Sequence, residues 1–377
     1  MVDLPLNKLR QGMVVAQSVY NSSGASYLSK GMALTSKYIE KLRQLGVSGI
    51  HVVSTRPGEG VVPPDDVLRD ETRAMAVKRV YDVFQQITKK GTFEAEPLTK
   101  ASSTIVNDIM ERKSNLVQLT DLRAHDMYTF AHSVNVAMLS ALLANLLGFS
   151  KEKISDLTMG ALLHDLGKTV VPTDILNKPA RLTDQEFTVI KNHPAAGSDR
   201  ILGMKIPHAE TIAIVARQHH EHMDGSGYPD KKSGNNIHPY GRIAAIADVY
   251  DALTSERPYK KGYAPSVAHH IMVNCSPGHF DEEMLHMFFQ NVAVFPVGTV
   301  VSTSIGHGIV RQTEFGKTER PIICMFADKD RRPFKKTFDV DFSADSRLVI
   351  NSAINDKELL HFIQELGFDP ASLLADK

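Results

Sequence analysis

Twelve of the chain's 16 histidines fall between His125 and His279. The apolar residues of that stretch recur mostly at helical spacing, and strand signals are nearly absent from it. Histidine is the commonest protein metal ligand. A helical bundle can point such side chains from several helices at one interior site. The candidate ligands stand on or near the ends of different helical segments. His132 lies on a helix over 130–147 that Gly148 ends. His164 and Asp165 close a second helix over 154–166, stopped by Gly167. Thr183 and Glu186 form a capping box, with Leu182 and Phe187 as a hydrophobic staple, and so start a third helix. His193 is placed within that helix, just before Pro194. His219 and His220 end a fourth helix over 210–220, and Asp248 lies on a fifth over 243–253. Singly, each is as well explained as a satisfied core residue. Only their order and spacing together point to a metal site.

Around this region the pattern changes. Residues 1–62 read as a small α/β unit with a regulatory or interaction role. Short β-like runs at 13–19 and 50–53 flank a helix over 35–45 that Gly46 stops. The Gly/Pro-rich stretch 56–64 reads as a linker. Residues 63–125 read as linker and helices, with Met75, Val80, Val83, Phe84 and Ile87 at roughly helical spacing and a break at Gly91 and Pro97. Residues 126–290 form the helical unit with the histidines. Residues 291–377 read as a β-rich extension with short strands around 295–302, 308–311 and 321–326 and a closing helix over 356–366. The basic run 328–336 reads as a solvated turn. The fold class expected is mainly α: a helical bundle core, a small α/β N-terminal domain and a short C-terminal β-rich extension.

The 377 residues are 42% hydrophobic, enough for two or three packed cores. The 43 Lys and Arg balance 43 Asp and Glu. Zero net charge argues against a nucleic acid polymer as partner, which needs a basic field, but leaves room for a local anion site. The longest apolar stretch, 137–149, is interrupted by Ser140 and Asn145 and is too short to span a bilayer. The first ten residues lack a secretory pattern. The two cysteines, Cys275 and Cys324, are too few for a disulfide scaffold and fit structural thiols in a reducing cytosol. A cytoplasmic protein without membrane contact is expected.

Several segments together resemble one family. Ala161-Leu-Leu-His164-Asp165-Leu-Gly-Lys168 resembles the HD motif of HD phosphohydrolases. His219-His220-Glu221-His-Met-Asp224-Gly225-Ser-Gly227-Tyr228-Pro229 resembles the HHExxDGxGYP signature of the HD-GYP family. Further pieces stand in the expected order: His132-Ser133, Ile175 to Pro179, Leu182 to Phe187, His193 to Gly197, Ala247-Asp248-Val-Tyr-Asp251-Ala252 and Arg257-Pro-Tyr-Lys260. The resemblance covers about residues 126–290.

That resemblance implies an HD-type bundle and a signalling hydrolase, a cyclic di-GMP phosphodiesterase. It implies hydrolysis to pGpG, and in further turnover GMP, through a bimetal-activated hydroxide. Cyclic GMP-AMP is the alternative substrate. A phosphodiester anion repels hydroxide; two metal ions ~3.5–4 Å apart supply both a strong nucleophile and positive charge. By resemblance His132, His164 and Asp248 would hold one ion, His193, His219 and His220 the other, and Asp165 would bridge them. Lys168 would contact the phosphate, and Arg257 and Lys260 the phosphate and guanine. A mixed imidazole and carboxylate set, with the resemblance, points to Fe or Mn. Some family members carry a Glu four residues before the first histidine, for a third ion. Here that residue is Tyr128, a poor ligand for a hard cation, and Asp126 lies on another helix face, so two ions are expected. In the GYP loop Glu221 has a supporting role, Asp224 and Tyr228 belong to the signature, Gly225 and Gly227 permit tight backbone turns, and Pro229 stiffens the exit. The loop then braces the His219-His220 helix end, or recognises a protein partner, as the N-terminal domain could too. Two other functional classes stay open: a cyclic dinucleotide sensor with little turnover, and an HD hydrolase of another phosphate ester.

Overall fold

In the computed structural model the described residues are 67–112, 116 and 128–354, apart from 177, 179, 205, 256–261 and 275. Of the first 53 residues, 2–11, 13–15, 19–20, 26–28, 32, 34–44 and 49–53 are described. Arg257, Lys260, Cys275, Asp126, the linker 56–64, the closing helix 356–366 and the side chain of Tyr128 lie outside the described residues.

The N-terminal part builds strands β1 (Val2–Pro5), β2 (Val14–Val15), β3 (Val19–Tyr20) and β4 (Ser26–Leu28), helix α1 (Ser36–Gln44) and strand β5 (Gly49–Val53). β5 lies between β1 and β2 in an antiparallel sheet, and β3 pairs with β4. Leu9, Val15, Leu28, Leu34, Leu42, Ile50 and Val52 form its own small core.

The helical part follows in order: α2 (Asp70–Lys90), α3 (Ala95–Met110), α4 (Tyr128–Leu146), α5 (Lys151–Leu162), a 3-10 turn (Leu166–Val170), α6 (Thr173–Leu176), α7 (Asp184–Ile190), α8 (His193–Leu202), α9 (Ala209–Gln218), α10 (Pro239–Thr254), α11 (Pro265–Asn274) and α12 (Glu282–Asn291). α4 is apolar around its whole circumference, and Val134, Val136, Ala137, Met138, Leu139, Ala141, Leu142, Leu143 and Ala144 are all buried. Such a helix belongs at the centre of a bundle. It packs against α2, α3, α5 and α10. Local stops and starts follow the sequence. Gly91 ends α2 in the left-handed region (φ 74), its N–H donating to the Ile87 carbonyl. The capping box of α7 is present, with Glu186 N–H on Thr183 Oγ1 at 3.2 Å and Thr183 N–H on Glu186 Oε2 at 2.7 Å.

Two helix boundaries differ from the sequence reading. The capped helix stops at Ile190, and His193 opens a new one, α8, with Pro194 in its first turn. A Pro early in a helix needs no N–H partner, so it marks a start rather than an interior position. The second helix ends at Leu162, and His164 and Asp165 sit in the turn between it and the 3-10 turn.

The C-terminal part is one antiparallel sheet of β6 (Val300–Thr303), β7 (Gly306–Gln312), β8 (Ile322–Ala327), β9 (Pro333–Asp341) and β10 (Ile350–Ala353), in the order β10-β6-β7-β8-β9. β9 overlaps the run expected to be a turn. The turn covers 328–332, closed by Asp328 N–H on the Arg332 carbonyl at 2.9 Å, and Pro333 starts the strand. Proline is tolerated there because β9 is an edge strand. Val301, Val310, Ile323, Met325 and Phe342 of this region join Val80, Leu98, Leu142 and Phe288 in one apolar cluster running from Val67 to Phe342. The sequence divisions at 125 and 290 follow changes of residue pattern, and apolar packing runs across both. Cys324 is a buried free thiol in β8. No helix among the described residues is long and apolar enough to cross a membrane.

Candidate metal centre

Five elements bring seven predicted side chains together. His132 comes from α4, His164 and Asp165 from the turn after α5, His193 from the start of α8, His219 and His220 from the end of α9, and Asp248 from α10. All except His220 are buried, and the His220 side chain is 25% exposed, marking the open side of the site. A close helix contact allows this convergence. A Cβ on Gly167 would overlap the His193 carbonyl oxygen and crowd Gly197 N, so only glycine lets α8 approach the His164-Asp165 turn.

The side chains fall into two groups. Ligand-capable atoms of His132, His164 and Asp165 lie within 4.8 Å of one another, as do those of His193, His219 and His220. Asp165 stands between the groups. Its Oδ2 is 3.4 Å from His164 Nε2 and 4.0 Å from His132 Nε2, while its Oδ1 is 3.4 Å from His193 Nε2. Asp248 Oδ1 is 3.0 Å from His132 Nε2 and 3.9 Å from His164 Nε2, and its Oδ2 is 3.8 Å from His220 Nδ1. Lys168 Nζ donates to Asp165 Oδ2 at 2.6 Å.

The opposite ring nitrogens are already used. His164 Nδ1 bonds the Ala161 carbonyl, His193 Nδ1 the Ile190 carbonyl and His219 Nδ1 the Ala216 carbonyl, each at 2.8 Å. A carbonyl only accepts, so each Nδ1 carries the proton and each Nε2 turns its lone pair to the centre. His132 Nδ1 donates to Asp251 Oδ2 at 2.6 Å. His164 Nε2 and Asp165 Oδ1 are buried and make no hydrogen bond. Buried polar atoms normally have partners. Two left without one, in a set of oriented imidazoles and carboxylates, fit divalent metal ions as the missing partners.

Burial and charge tune the groups. Burial pushes His219 well below the usual histidine range, helped by His220, His164 and His193. Burial likewise lowers His193 and takes His220 down to about 4. These three therefore stay neutral and have no proton to lose to a metal. His132 differs: burial pulls it down, but hydrogen bonds to Asp248 and Asp251 outweigh that and raise it to about 10. Burial opposes ionisation of Asp165 and Asp248, yet His164 and Lys168 around the first, and His132 beside the second, hold both below the ordinary carboxylate range.

The GYP loop packs beside the second group. Glu221, 2% exposed, accepts the N–H groups of Asp230 at 2.7 Å and Lys232 at 3.0 Å. Burial raises its carboxyl, with these two bonds working against the rise. A Cβ on Gly227 would run into His222 N and the His220 carbonyl. Gly225 has φ 80, and Asp224 Oδ1 accepts Ser226 N–H at 2.8 Å. The Tyr228-Pro229 bond is cis. Tyr228 N–H donates to the His220 carbonyl at 3.0 Å, and the two rings lie 4.8 Å apart. Met223 and Asp224 N–H bond the carbonyls of His279 and Gly278. The loop is thus tied to the His219-His220 helix end and to the segment before α12.

Sequence reading assigned no role to Asp251 or Asn135. Asp251 lies one turn after Asp248, within a motif already noted, and that spacing was its available signal.

Comparison with known proteins places this arrangement. The HD domain family matches residues 94–284. A cyclic di-GMP phosphodiesterase of Pseudomonas aeruginosa is 32% identical over 282 residues, covering 73% of this chain and 68% of the relative. The cyclic di-GMP phosphodiesterase response regulator RpfG of Xanthomonas campestris pv. campestris is 38% identical over 167 residues, 43% of this chain and 44% of that one. A 3'3'-cGAMP-specific phosphodiesterase of Vibrio cholerae is 31% identical over 196 residues, 52% of this chain and 38% of that one. The chain thus spans about two thirds of the first relative and less than half of the other two. With the HD turn, the histidine groups and the GYP loop in one fold, the chain belongs to the HD domain family, in its HD-GYP branch.

Proposed function

We propose that this chain is a metal-dependent phosphodiesterase of cyclic dinucleotides, acting on cyclic di-GMP, with cyclic GMP-AMP as the alternative substrate. The observation that carries the reading is the Asp165 carboxylate, one oxygen toward His132 and His164 and the other toward His193. The names of the relatives support the substrate class. In this reading His132, His164 and Asp248 would hold one divalent ion and His193, His219 and His220 a second, with Asp165, which stands between the two groups, available to both. Bound ions supply a nucleophile at neutral pH and positive charge beside the phosphodiester. Fe or Mn suits the mixed imidazole and carboxylate donors.

The chain's own residues do the rest. Carbonyls of α5, α9 and the α7–α8 junction, with Asp251, hold the rings of His164, His219, His193 and His132 in their proposed ligating orientation. Lys168, whose side chain is 29% exposed, brings a cation from Asp165 toward the open side, where it offsets charge on the phosphate. Arg257 and Lys260 complete the proposal as contacts for phosphate and guanine. The GYP loop braces the second histidine pair. A cytoplasmic location belongs to this reading.

Anaerobic purification, metal analysis and product chromatography with cyclic di-GMP and cyclic GMP-AMP test it. Two equivalents of Fe or Mn and release of pGpG or GMP are expected. A metal-loaded protein that binds cyclic di-GMP without cleaving either dinucleotide would overturn the enzyme reading in favour of a sensor.

A further inference from the structure

Behind the first histidine group runs a line of polar side chains that reaches the start of α2. Arg73, in the first turns of that helix, is 3% exposed. Its Nη1 donates to Asn135 Oδ1 at 2.7 Å. Asn135 Nδ2 donates to Asp251 Oδ1 at 2.8 Å, and Asp251 Oδ2 accepts from His132 Nδ1 at 2.6 Å. Ser255 Oγ adds a bond to Asp251 Oδ1 at 2.9 Å.

The direction of each bond is forced. Guanidinium only donates, so the Asn135 oxygen must face Arg73. An ionised carboxylate only accepts, so the Asn135 amide NH₂ must face Asp251. Were the amide turned round, both contacts would fail at once. Arg73 and Asp251 therefore hold Asn135 from its two ends, and Asn135 with Ser255 holds Asp251 where its other oxygen meets His132. The helix carrying Arg73 is itself anchored: Asp108 of α3 accepts from Arg69 Nε at 2.8 Å and from Arg69 N–H at 3.1 Å. Burying a guanidinium is expensive unless its donors are bonded, and one of the Arg73 bonds leads through Asn135 and Asp251 to His132.

We propose that Arg73 is a positioning residue for the metal centre, setting the orientation of His132 through Asn135 and Asp251. This rests on the reading of His132 as a ligand. Helix α2 would thereby act on the ion held with His132 and leave the ion held by His193, His219 and His220 alone.

The test is a titration of chelator-stripped protein with Mn²⁺ alone, followed by calorimetry and by the paramagnetic signal of free ion, without substrate. Arg73→Met keeps the apolar stem and removes the donors. It is expected to weaken one of the two ions about tenfold, the lower end for partners behind a ligand, and to leave the other unchanged. Arg73→Lys, which keeps a donor, should restore part of the loss. In a protein already carrying Asp251→Asn, adding Arg73→Met should cause no further loss, because both act on one path. Asn135→Ala cuts the same path one bond nearer and must show the same one-ion loss, so it carries the test if Arg73→Met does not fold. Two unchanged affinities, or equal weakening of both ions, overturns the proposal while sparing the metal centre. A wild-type protein that holds no pair of Mn²⁺ ions overturns both.

Discussion

At the scale of single residues the centre separates donors from supports. His164 and Asp165 present buried atoms that no protein group satisfies, so in the proposed reading removing either takes away a ligand and not a packing contact alone. His164→Ala and Asp165→Ala are each expected to abolish turnover and lower bound metal below two equivalents. An Asp165→Ala enzyme with full activity would sink the two-ion reading. Asp251 is a support: its carboxylate orients His132 from behind. Asp251→Asn should weaken metal binding or turnover by about 10–100-fold without abolishing it, checked by metal titration beside initial rates.

At the scale of elements, two close approaches decide whether the histidines converge. The first is α8 against the turn carrying Asp165, through Gly167. In Gly167→Ala the added methyl meets backbone, which cannot swing aside as a side chain can. We expect a loss of about 1–3 kcal/mol in denaturant unfolding, with His193 displaced and the second ion lost first. The second is the GYP loop against the end of α9, held by Glu221. Glu221→Ala leaves the N–H groups of Asp230 and Lys232 without their acceptor, a loss of about 1–3 kcal/mol for each that stays shielded from water. Its turnover should fall less than that of the ligand variants, because no donor to the metal is removed. Equal loss of activity in Glu221→Ala and His164→Ala would argue against a bracing role.

At the scale of the whole molecule, the proposed ligands come from five elements, which would make metal binding and folding one equilibrium. An unfolded chain spreads these residues over more than a hundred positions and cannot offer them together. Stripping the ions with a chelator should lower unfolding stability by about 2.7 kcal/mol for each ion previously held at about 100 times its Kd. Restoring Mn²⁺ should reverse the loss in thermal melts. The sheet of β6–β10 shares apolar packing with the helices, so helical and sheet signals should move together in that experiment.

Much of this was legible in the sequence because it is local. Helical periodicity, the Thr183–Glu186 capping box and the stops at Gly91 and Gly148 are written within a few residues of where they act; the stop expected at Gly167 falls instead at Leu162, and Gly46 lies outside the described residues. The ligand types and their order along the chain, from His132 to Asp248, needed no coordinates, and they led to the HD-GYP resemblance. Strands β9 and β10 were harder to read. The charged Pro333–Asp341 segment is an edge strand whose pairing comes from β8, not from its own composition. His193 differs: Pro194 was a local signal for a helix start, and the capping box ahead of it drew the helix reading past it. Only the tertiary structure brought Arg73, Asn135 and Asp251 into line behind His132. Their bonds span 62 to 119 positions of sequence, and distances of that kind are set by how helices pack around α4. Periodicity tells each helix which face to bury; the packed core decides which polar groups then meet.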